Sequence, residues 1–296
     1  MRSYLFVPGD SQHKLEKSLT GAADCLLIDL EDSVSAAQKP AARQMARTFI
    51  EDIRASGTDR GPGLVVRVNP LPGGLTDDDL AAIIGAQPDG VLLPKSEGGK
   101  DVQQLSAMIA VHEAEAGIPE GTTDIHALVT ETAFGALNAG TYRDASNRLK
   151  SLSWGAEDLS ADLGVETNRT ADGHYTDPFR HARTVTLLGA AAAHVAAVDT
   201  VYVDFRDTEG LERECRDAVR DGFSGKMAIH PAQVDVINRV FTPSAEAVER
   251  ARRIVQLFAD AGDAVGVLSL DGQMIDKPHL RQAQKILDRA RTIRPD

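Results

Sequence analysis

Two stretches of the chain decide its fold, Ile125-His-Ala-Leu-Val-Thr-Glu-Thr132 and Ser151-Leu-Ser-Trp-Gly-Ala-Glu-Asp-Leu159. Each begins with an apolar run of the length of a buried strand, and the runs lead into Glu131 and into Glu157-Asp158. A carboxylate at the end of a buried strand is costly unless a positive group neutralises it. Mg²⁺ is a suitable partner, since it prefers one or two carboxylates together with substrate oxygens and water. The two stretches alone fit equally well with acids that cap the following helices or pair with arginine.

Short Leu-rich or β-branched runs alternate with longer amphipathic stretches, which is typical of βα units around a parallel sheet. The predicted strands are Ser3–Val7, Cys25–Leu30, Leu64–Val68, Gly90–Leu93, His126–Glu131, Ser151–Trp154, Thr200–Asp204 and Lys226–Ile229. The predicted helices between them are Gln12–Thr20, Ser35–Ala55, Asp77–Ile84, Asp101–Ala116, Asp177–Ala197, Glu209–Asp221 and Pro231–Val240. Eight such units predict a closed (β/α)₈ TIM barrel. A doubly wound sheet would need a Gly-rich phosphate fingerprint, which the first turn, Pro8-Gly9-Asp10-Ser11, lacks.

The chain continues beyond the eighth unit, so we predict a barrel domain over residues 1–242 and a C-terminal extension over 243–296. Ser244 is placed to cap a helix that runs to about Gly262. A strand over Val265–Leu270, a turn and return over Asp271–Asp276, and a helix from Lys277 to about Ile293 follow. Such an extension is either a lid or oligomerisation arm, or additional packing at the barrel rim.

The composition narrows the class of protein. The 32 basic and 44 acidic residues give a net charge of −12, which argues against nucleic acid or an anionic membrane as the main partner. Cys25 and Cys215 show no metal-ligand spacing, and reduced thiols are the simplest account of them. We expect a cytoplasmic protein, because the N-terminal residues do not resemble a signal peptide and no apolar run reaches membrane-spanning length.

Ionisable residues follow seven of the eight predicted strands, at the end of the barrel where active sites lie. This concentration of charge indicates an enzyme. The seven ends are Asp29-Leu-Glu-Asp32, Arg67-Val-Asn69, Pro94-Lys95, Glu131-Thr132, Glu157-Asp158, Asp204-Phe-Arg206 and Ile229-His-Pro231.

Arg67 and the acids of the second strand end are predicted to work together. An arginine at a strand end can hold a carboxylate in a bidentate grip, although Arg67 could equally form a structural ion pair with Glu31 or Asp32. Asp29, Glu31 and Asp32 could bind a metal directly. We favour a supporting role, in which they hold Lys95, Arg67 and metal-bound water.

Three further features of the strand ends have open interpretations. Lys95 occupies the position of a Schiff-base nucleophile, but neighbouring acids could keep it charged and non-nucleophilic. Glu157 is predicted to support the metal ligands. The stretch Ala133-Phe-Gly-Ala-Leu137 resembles a helix start, whose free amides could receive an anionic substrate oxygen.

Several motifs resemble, in the right order, the citrate lyase β-subunit / malyl-CoA lyase family, part of the HpcH/HpaI aldolase superfamily of CoA-ester lyases. The matching stretches are Arg2-Ser-Tyr-Leu-Phe-Val-Pro-Gly9, Leu27-Ile-Asp-Leu-Glu-Asp-Ser-Val34, Val66-Arg-Val-Asn69, Leu93-Pro-Lys95, Gly155-Ala-Glu-Asp158 and Gly272-Gln-Met-Ile-Asp276. Together they cover nearly the whole chain. The resemblance is specific for the family and does not select a substrate.

The resemblance implies an Mg²⁺-dependent (β/α)₈ barrel that assembles as a trimer or hexamer. It implies that Glu131 and Asp158 hold Mg²⁺, or Mn²⁺, and that Arg67 holds a keto-acid carboxylate. Asp276 would be the catalytic acid/base, supplied in related lyases by a neighbouring subunit. The residues that would contact the CoA thioester substrate are Phe6, Lys17, Arg67, Glu131, Ile229 and His230.

The predicted reaction is reversible carbon–carbon cleavage of a 3-hydroxyacyl-CoA, such as a malyl-, citramalyl- or citryl-CoA. Its products would be a 2-oxo acid, or oxaloacetate, and an acyl-CoA. One alternative is a metal aldolase that acts on free hydroxy acids without CoA. Another is a subunit that acts only on acyl groups presented by a carrier protein.

Overall fold

The computed structural model describes residues 1–57, 61–262 and 266–293. Eight parallel strands follow one another around a closed barrel, and the first strand pairs with the eighth. The strands are Ser3–Pro8 (β1), Cys25–Asp29 (β2), Gly63–Arg67 (β3), Gly90–Leu93 (β4), Asp124–Leu128 (β5), Leu149–Ser153 (β6), Ala196–Asp199 (β7) and Gly225–Ala228 (β8). The predicted TIM barrel is therefore confirmed.

Helices connect the strands and pack around the barrel, so that apolar side chains fill both its interior and the layer beneath the helices. None of the helices in the described part of the chain combines the length and the apolar character needed to span a bilayer. The barrel helices are Gln12–Ser18 (α1), Lys39–Ala55 (α2), Leu75–Ile83 (α3), Gly99–Glu115 (α4), Ala133–Leu137 (α5), Ala156–Leu163 (α6), Asp177–Ala192 (α7), Thr208–Asp221 (α8) and Val234–Phe241 (α9).

The predicted seventh strand, Thr200–Asp204, is wrong. The strand is β7, Ala196–Asp199, whose first two residues fall inside the predicted helix Asp177–Ala197, and the helix itself ends at Ala192. His194, with φ of 59°, lies between that helix and the strand, and pairing with both β6 and β8 overrides the helical preference of alanine. Asp204 and Arg206 consequently lie in the exposed loop before α8, and Asp199 ends the strand.

The C-terminal extension begins with a helix over Ala245–Ala261 (α10), whose Ser244 cap is confirmed because its side chain accepts a hydrogen bond from the Ala247 amide. Two antiparallel strands, Val267–Leu270 (β9) and Gln273–Asp276 (β10), follow, and a last helix covers Lys277–Thr292 (α11). Val265, the predicted start of the strand, lies outside the described residues.

The extension packs largely on itself. Its polar contacts run between its own elements, as in the pairs Arg250–Gln273 and Arg253–Asp271. It also has an apolar cluster separate from those of the barrel. The buried members of that cluster are Ala251, Ile254, Phe258, Leu270, Ile275 and Ala283.

Candidate active site

Glu131 lies just beyond β5 at the mouth of the barrel and is only 2% exposed. The Lys95 amide donates a hydrogen bond to its Oε2 atom at 2.5 Å. A Cβ atom on Gly155 would lie 2.6 Å from the Glu131 Cγ, so glycine is needed for this close approach. Burial and the nearby charge of Asp158 raise the pKa of Glu131 to about 8. Within the described residues no ion pair neutralises Glu131, and this makes it the side chain most in need of a cation.

Asp158 lies in the first turn of α6 and is partly exposed to the mouth. Its Oδ1 atom is 3.2 Å from the Lys95 Nζ atom, and its charge contributes to the raised pKa of Glu131. The structure thus brings together the two residues predicted to hold the metal. The neighbouring Glu157 is directed elsewhere, since its described hydrogen bond comes from Asn168 at 3.0 Å.

Arg67 ends β3, and its Cα atom pairs in register with that of Asp29 on β2. The guanidinium donates two hydrogen bonds to Asp29, both of 2.7 Å, while its Nη1 atom lies 2.8 Å from the Glu31 Oε2 atom without hydrogen-bonding geometry. Burial would raise the pKa of Asp29, but Arg67 holds it below its usual value. Arginine has five N–H groups, so this arrangement leaves donors for a substrate carboxylate.

The Lys95 ammonium lies among three carboxylates. It contacts Glu31, and it lies 3.2 Å from oxygens of both Asp32 and Asp158. Partial burial would lower the pKa of Lys95, but the hydrogen bond and charge of Glu31 and the charge of Asp158 raise it above its usual value. The side chain is therefore a fixed cation, and the geometry disfavours the Schiff-base alternative because a protonated amine is not nucleophilic.

The predicted anion site at the start of α5 is not supported. The Ala133 amide donates to Asp162 Oδ2 at 2.7 Å, and the Gly135 amide donates to the Thr132 side chain at 3.0 Å. These groups already have partners within the protein. Because the two amides are already used in hydrogen bonds that cap the helix, they do not form a site for an anionic substrate oxygen.

The residues predicted to contact the CoA thioester lie at several points of the barrel. Phe6 on β1 lies beneath the Arg67 guanidinium, whose central carbon is 4.8 Å from the ring centroid. Lys17 is exposed in the last turn of α1. Ile229 and His230 follow β8 and are exposed, and the His230 ring stacks on Phe205 at 4.5 Å.

Asp276 belongs to the extension and joins β10 to α11. It caps that helix, and its Oδ1 atom lies 2.5 Å from the His279 Nδ1 atom. The hydrogen bond from His279 lowers the pKa of Asp276.

The mouth fits a divalent cation by charge. Five carboxylates lie at the mouth and carry five negative charges when all are ionised, whereas Arg67 and Lys95 supply two positive charges; the carboxylates are those of Asp29, Glu31, Asp32, Glu131 and Asp158. In the ranges that the structure describes, no group of three or more His, Cys, Asp or Glu side chains could hold a metal ion. Glu131 and Asp158 therefore form a two-carboxylate set, which Mg²⁺ commonly completes with water and substrate oxygens.

A parallel barrel with buried carboxylates, a fixed arginine and a fixed lysine at its mouth has the architecture of a barrel enzyme, whose active site lies at the carboxyl ends of the strands. Residues 2–231 match the family HpcH/HpaI aldolase/citrate lyase. The chain belongs to this family of carbon–carbon lyases.

Three relatives illustrate the similarity. Citrate lyase subunit beta of Leuconostoc mesenteroides subsp. cremoris is 33% identical, across 97% of this chain and 92% of that protein. Mitochondrial citramalyl-CoA lyase of Rattus norvegicus is 32% identical, across 99% and 87%. The crystal structure of CitE from Mycobacterium tuberculosis, in complex with magnesium, acetoacetate and coenzyme A, is 37% identical and superposes with a TM-score of 0.76, across 98% of this chain and 97% of that one.

Proposed function

We propose that this protein is an Mg²⁺-dependent lyase that cleaves, or forms, the carbon–carbon bond of a 3-hydroxyacyl-CoA such as a malyl-, citramalyl- or citryl-CoA. One observation carries the proposal: Glu131 is a buried carboxylate at the mouth of the barrel, beside Asp158, and no ion pair reaches it from residues 1–57, 61–262 or 266–293. The complex of the CitE relative with magnesium, acetoacetate and coenzyme A supports this choice of cofactor and substrate class.

Glu131 and Asp158 would hold the cation, and the Lys95 amide would keep the Glu131 carboxylate in place. When bound, Mg²⁺ supplies Lewis-acid polarisation of the substrate hydroxyl and carboxylate oxygens. Arg67 would receive the keto-acid carboxylate with its remaining N–H groups, and Asp29 fixes the plane of the guanidinium. Positive charge positioned in advance is most effective where charge develops in the transition state. The proposed contacts along the CoA thioester are those of Phe6, Lys17, Ile229 and His230.

Asp276 would complete the site from a neighbouring subunit. In the cleavage direction the substrate hydroxyl loses its proton to water as the carbon–carbon bond breaks and its oxygen becomes the carbonyl of the keto acid, and the Asp276 carboxyl group gives a proton to the released carbon. In the condensing direction both proton transfers are reversed, and the Asp276 carboxylate removes the proton from that carbon. The separate packing of the extension supports this arrangement. We accordingly propose a barrel domain over 1–242, an arm over 243–296, a trimer or hexamer, and a cytoplasmic location.

The reaction is tested with a panel of purified acyl-CoA esters, with and without Mg²⁺, followed by identification of the released keto acid. We expect turnover of at least one malyl-type ester that EDTA abolishes. Turnover of free hydroxy acids, without saturable binding of acetyl-CoA in calorimetry, would instead identify the CoA-independent aldolase. Activity only toward carrier-bound acyl groups would identify the subunit alternative.

The position of Asp276 is tested by complementation between two defective chains, Asp158→Ala and Asp276→Ala. Each should be inactive alone. If the acid/base comes from a neighbour, co-assembled oligomers contain sites with both groups intact, and part of the activity returns. If Asp276 serves its own barrel, every site retains a defect and mixing restores nothing.

A further inference from the structure

Lys95 has an unusual backbone for a lysine. Its φ of 51° lies in the left-handed region, which is strained for a residue with a Cβ atom. Lys95 lies in the bend that directly follows β4, and the next residue, Ser96, donates its amide to the Leu128 carbonyl beside the barrel. This bend aims the Lys95 amide at Glu131. The strained backbone of Lys95 therefore accompanies a specific hydrogen bond at the barrel mouth, from the Lys95 amide to Glu131.

The side chain of the same residue reaches the other carboxylates. Its ammonium contacts Glu31, which follows β2, and lies 3.2 Å from Asp158 Oδ1, at the start of α6. Lys95 thus touches both proposed magnesium ligands, Glu131 through the backbone and Asp158 through the side chain. Two carboxylates that would otherwise repel each other are both held by one residue.

We propose that Lys95 assembles the magnesium site before the cation arrives, with its amide orienting Glu131 and its ammonium standing in for part of the cation's charge beside Asp158. Lys95 is a positioning residue in this account. The inference depends on the proposed function, because it takes Glu131 and Asp158 as the magnesium ligands. When the cation binds, the ammonium would move away from Asp158 and keep its contacts with Glu31 and Asp32.

This arrangement has an energetic consequence. The ammonium lowers the repulsion among the carboxylates of the empty mouth, but it also repels an incoming cation. Replacing Lys95 with an uncharged side chain should therefore weaken the metal-free protein and strengthen its binding of Mg²⁺ by about tenfold. A lysine that merely helped to bind the metal would give the opposite result.

The test compares Lys95→Met with the wild-type protein by calorimetric titration of Mg²⁺ without substrate, and by thermal unfolding over a range of Mg²⁺ concentrations. Methionine keeps the amide and fills a similar volume without the charge. We expect a lower melting temperature without Mg²⁺, a tighter Kd, and a larger rise in melting temperature on adding Mg²⁺. Lys95→Arg should restore wild-type values, because it keeps the positive charge.

Lys150→Met is the matched control. Lys150 lies 3.5 Å from Asp124 at the opposite end of the same barrel, so its replacement should leave the Mg²⁺ response unchanged.

An equal or weaker Kd for Lys95→Met overturns the inference. If Lys95→Met does not fold without metal, recovery of its circular dichroism by Mg²⁺ at concentrations below the wild-type Kd supports the inference, and absence of recovery overturns it. Failure of the wild-type protein to bind Mg²⁺ would instead overturn the proposed function.

Discussion

Two lysines of this barrel lie among carboxylates, and the difference between their surroundings separates a structural cluster from a candidate site. Lys226 on β8 is fully buried and contacts Asp199 at 3.0 Å and Glu214 at 2.7 Å. Lys95 is partly exposed at the mouth. The contacts of the Lys226 cluster join four cations to four carboxylates, namely Lys226, Arg183, Arg169 and Arg220 with Asp199, Glu214, Asp221 and Asp217.

The mouth lacks this balance. Its two cations, Arg67 and Lys95, face more carboxylates than they can neutralise, and Glu131 has no ion pair in the described residues. A buried cluster whose charges cancel gains no stability from an added ion. A cluster with excess negative charge can bind a cation, and without that cation its uncompensated charge lowers the stability of the protein. The following predictions test this contrast, from the largest expected effect to the smallest.

Asp158→Ala should abolish Mg²⁺-dependent turnover, with a loss of at least about 100-fold, because it removes one of two metal carboxylates and a preorganised charge. Turnover and calorimetric Mg²⁺ binding measure the effect. Asp124→Ala, at the opposite end of the barrel, is the control. Activity near the wild-type level in Asp158→Ala would show that Asp158 is not a magnesium ligand, and the proposed difference between the mouth and the Lys226 cluster would no longer hold.

Asp199→Asn should lower the free energy of unfolding by about 3–5 kcal/mol, since it leaves Lys226 buried without its full counter-charge. Chemical denaturation measures the change. The matched control is Asp221→Asn, which affects a more exposed partner of Arg183. A loss below that of the control would mean that the cluster is not a structural element of the barrel.

The pH dependence of this cluster has a definite sign. Burial would raise the pKa of Asp199, but Lys226 and Arg183 hold it below its usual value. A carboxyl with a lowered pKa contributes stability above its unfolded-state pKa and loses it as the pH falls through the folded-state pKa. Wild-type stability should therefore fall in acid more steeply than that of Asp199→Asn.

Glu131→Gln should have the opposite effect on stability. Without Mg²⁺, burial and Asp158 raise the pKa of Glu131 to about 8, so near neutral pH folding must protonate a carboxyl that is ionised in the unfolded chain. The amide of glutamine removes this cost, and we expect a gain of about 1 kcal/mol in the free energy of unfolding. Stabilisation by added Mg²⁺ should disappear in the same variant. Denaturation with and without Mg²⁺ measures both effects. A clear loss of stability without metal would show that Glu131, like the Lys226 cluster, stabilises the fold.

The sequence pattern predicted the barrel because alternating apolar runs report burial, and it failed at β7, where alanine is compatible with both helix and strand. Glu131 and the pair Glu157-Asp158 became candidates because each follows an apolar run, and the resemblance to the citrate lyase family selected Glu131 and Asp158 as the metal residues. The pairing of Arg67 with Asp29 depends on the register between β2 and β3, which no local pattern encodes. The left-handed backbone of Lys95 also depends on tertiary structure, since lysine carries no local signal for that conformation. The close approach of Glu131 to Gly155 depends on tertiary structure as well, because it joins the ends of two neighbouring strands.

The pair Asp276–His279 in the extension lies outside both clusters and gives the smallest predicted effect. His279 lowers the pKa of Asp276, so His279→Ala should return that pKa towards its usual value. The condensing reaction needs the carboxylate, and its acid limb should therefore move to higher pH. The control is His112→Ala, because His112 forms a similar surface pair with Asp77, at 3.0 Å. An acid limb that stays in place would show that Asp276 is not the group whose ionisation limits the reaction, and the acid/base would then have to be sought among the carboxylates of the mouth.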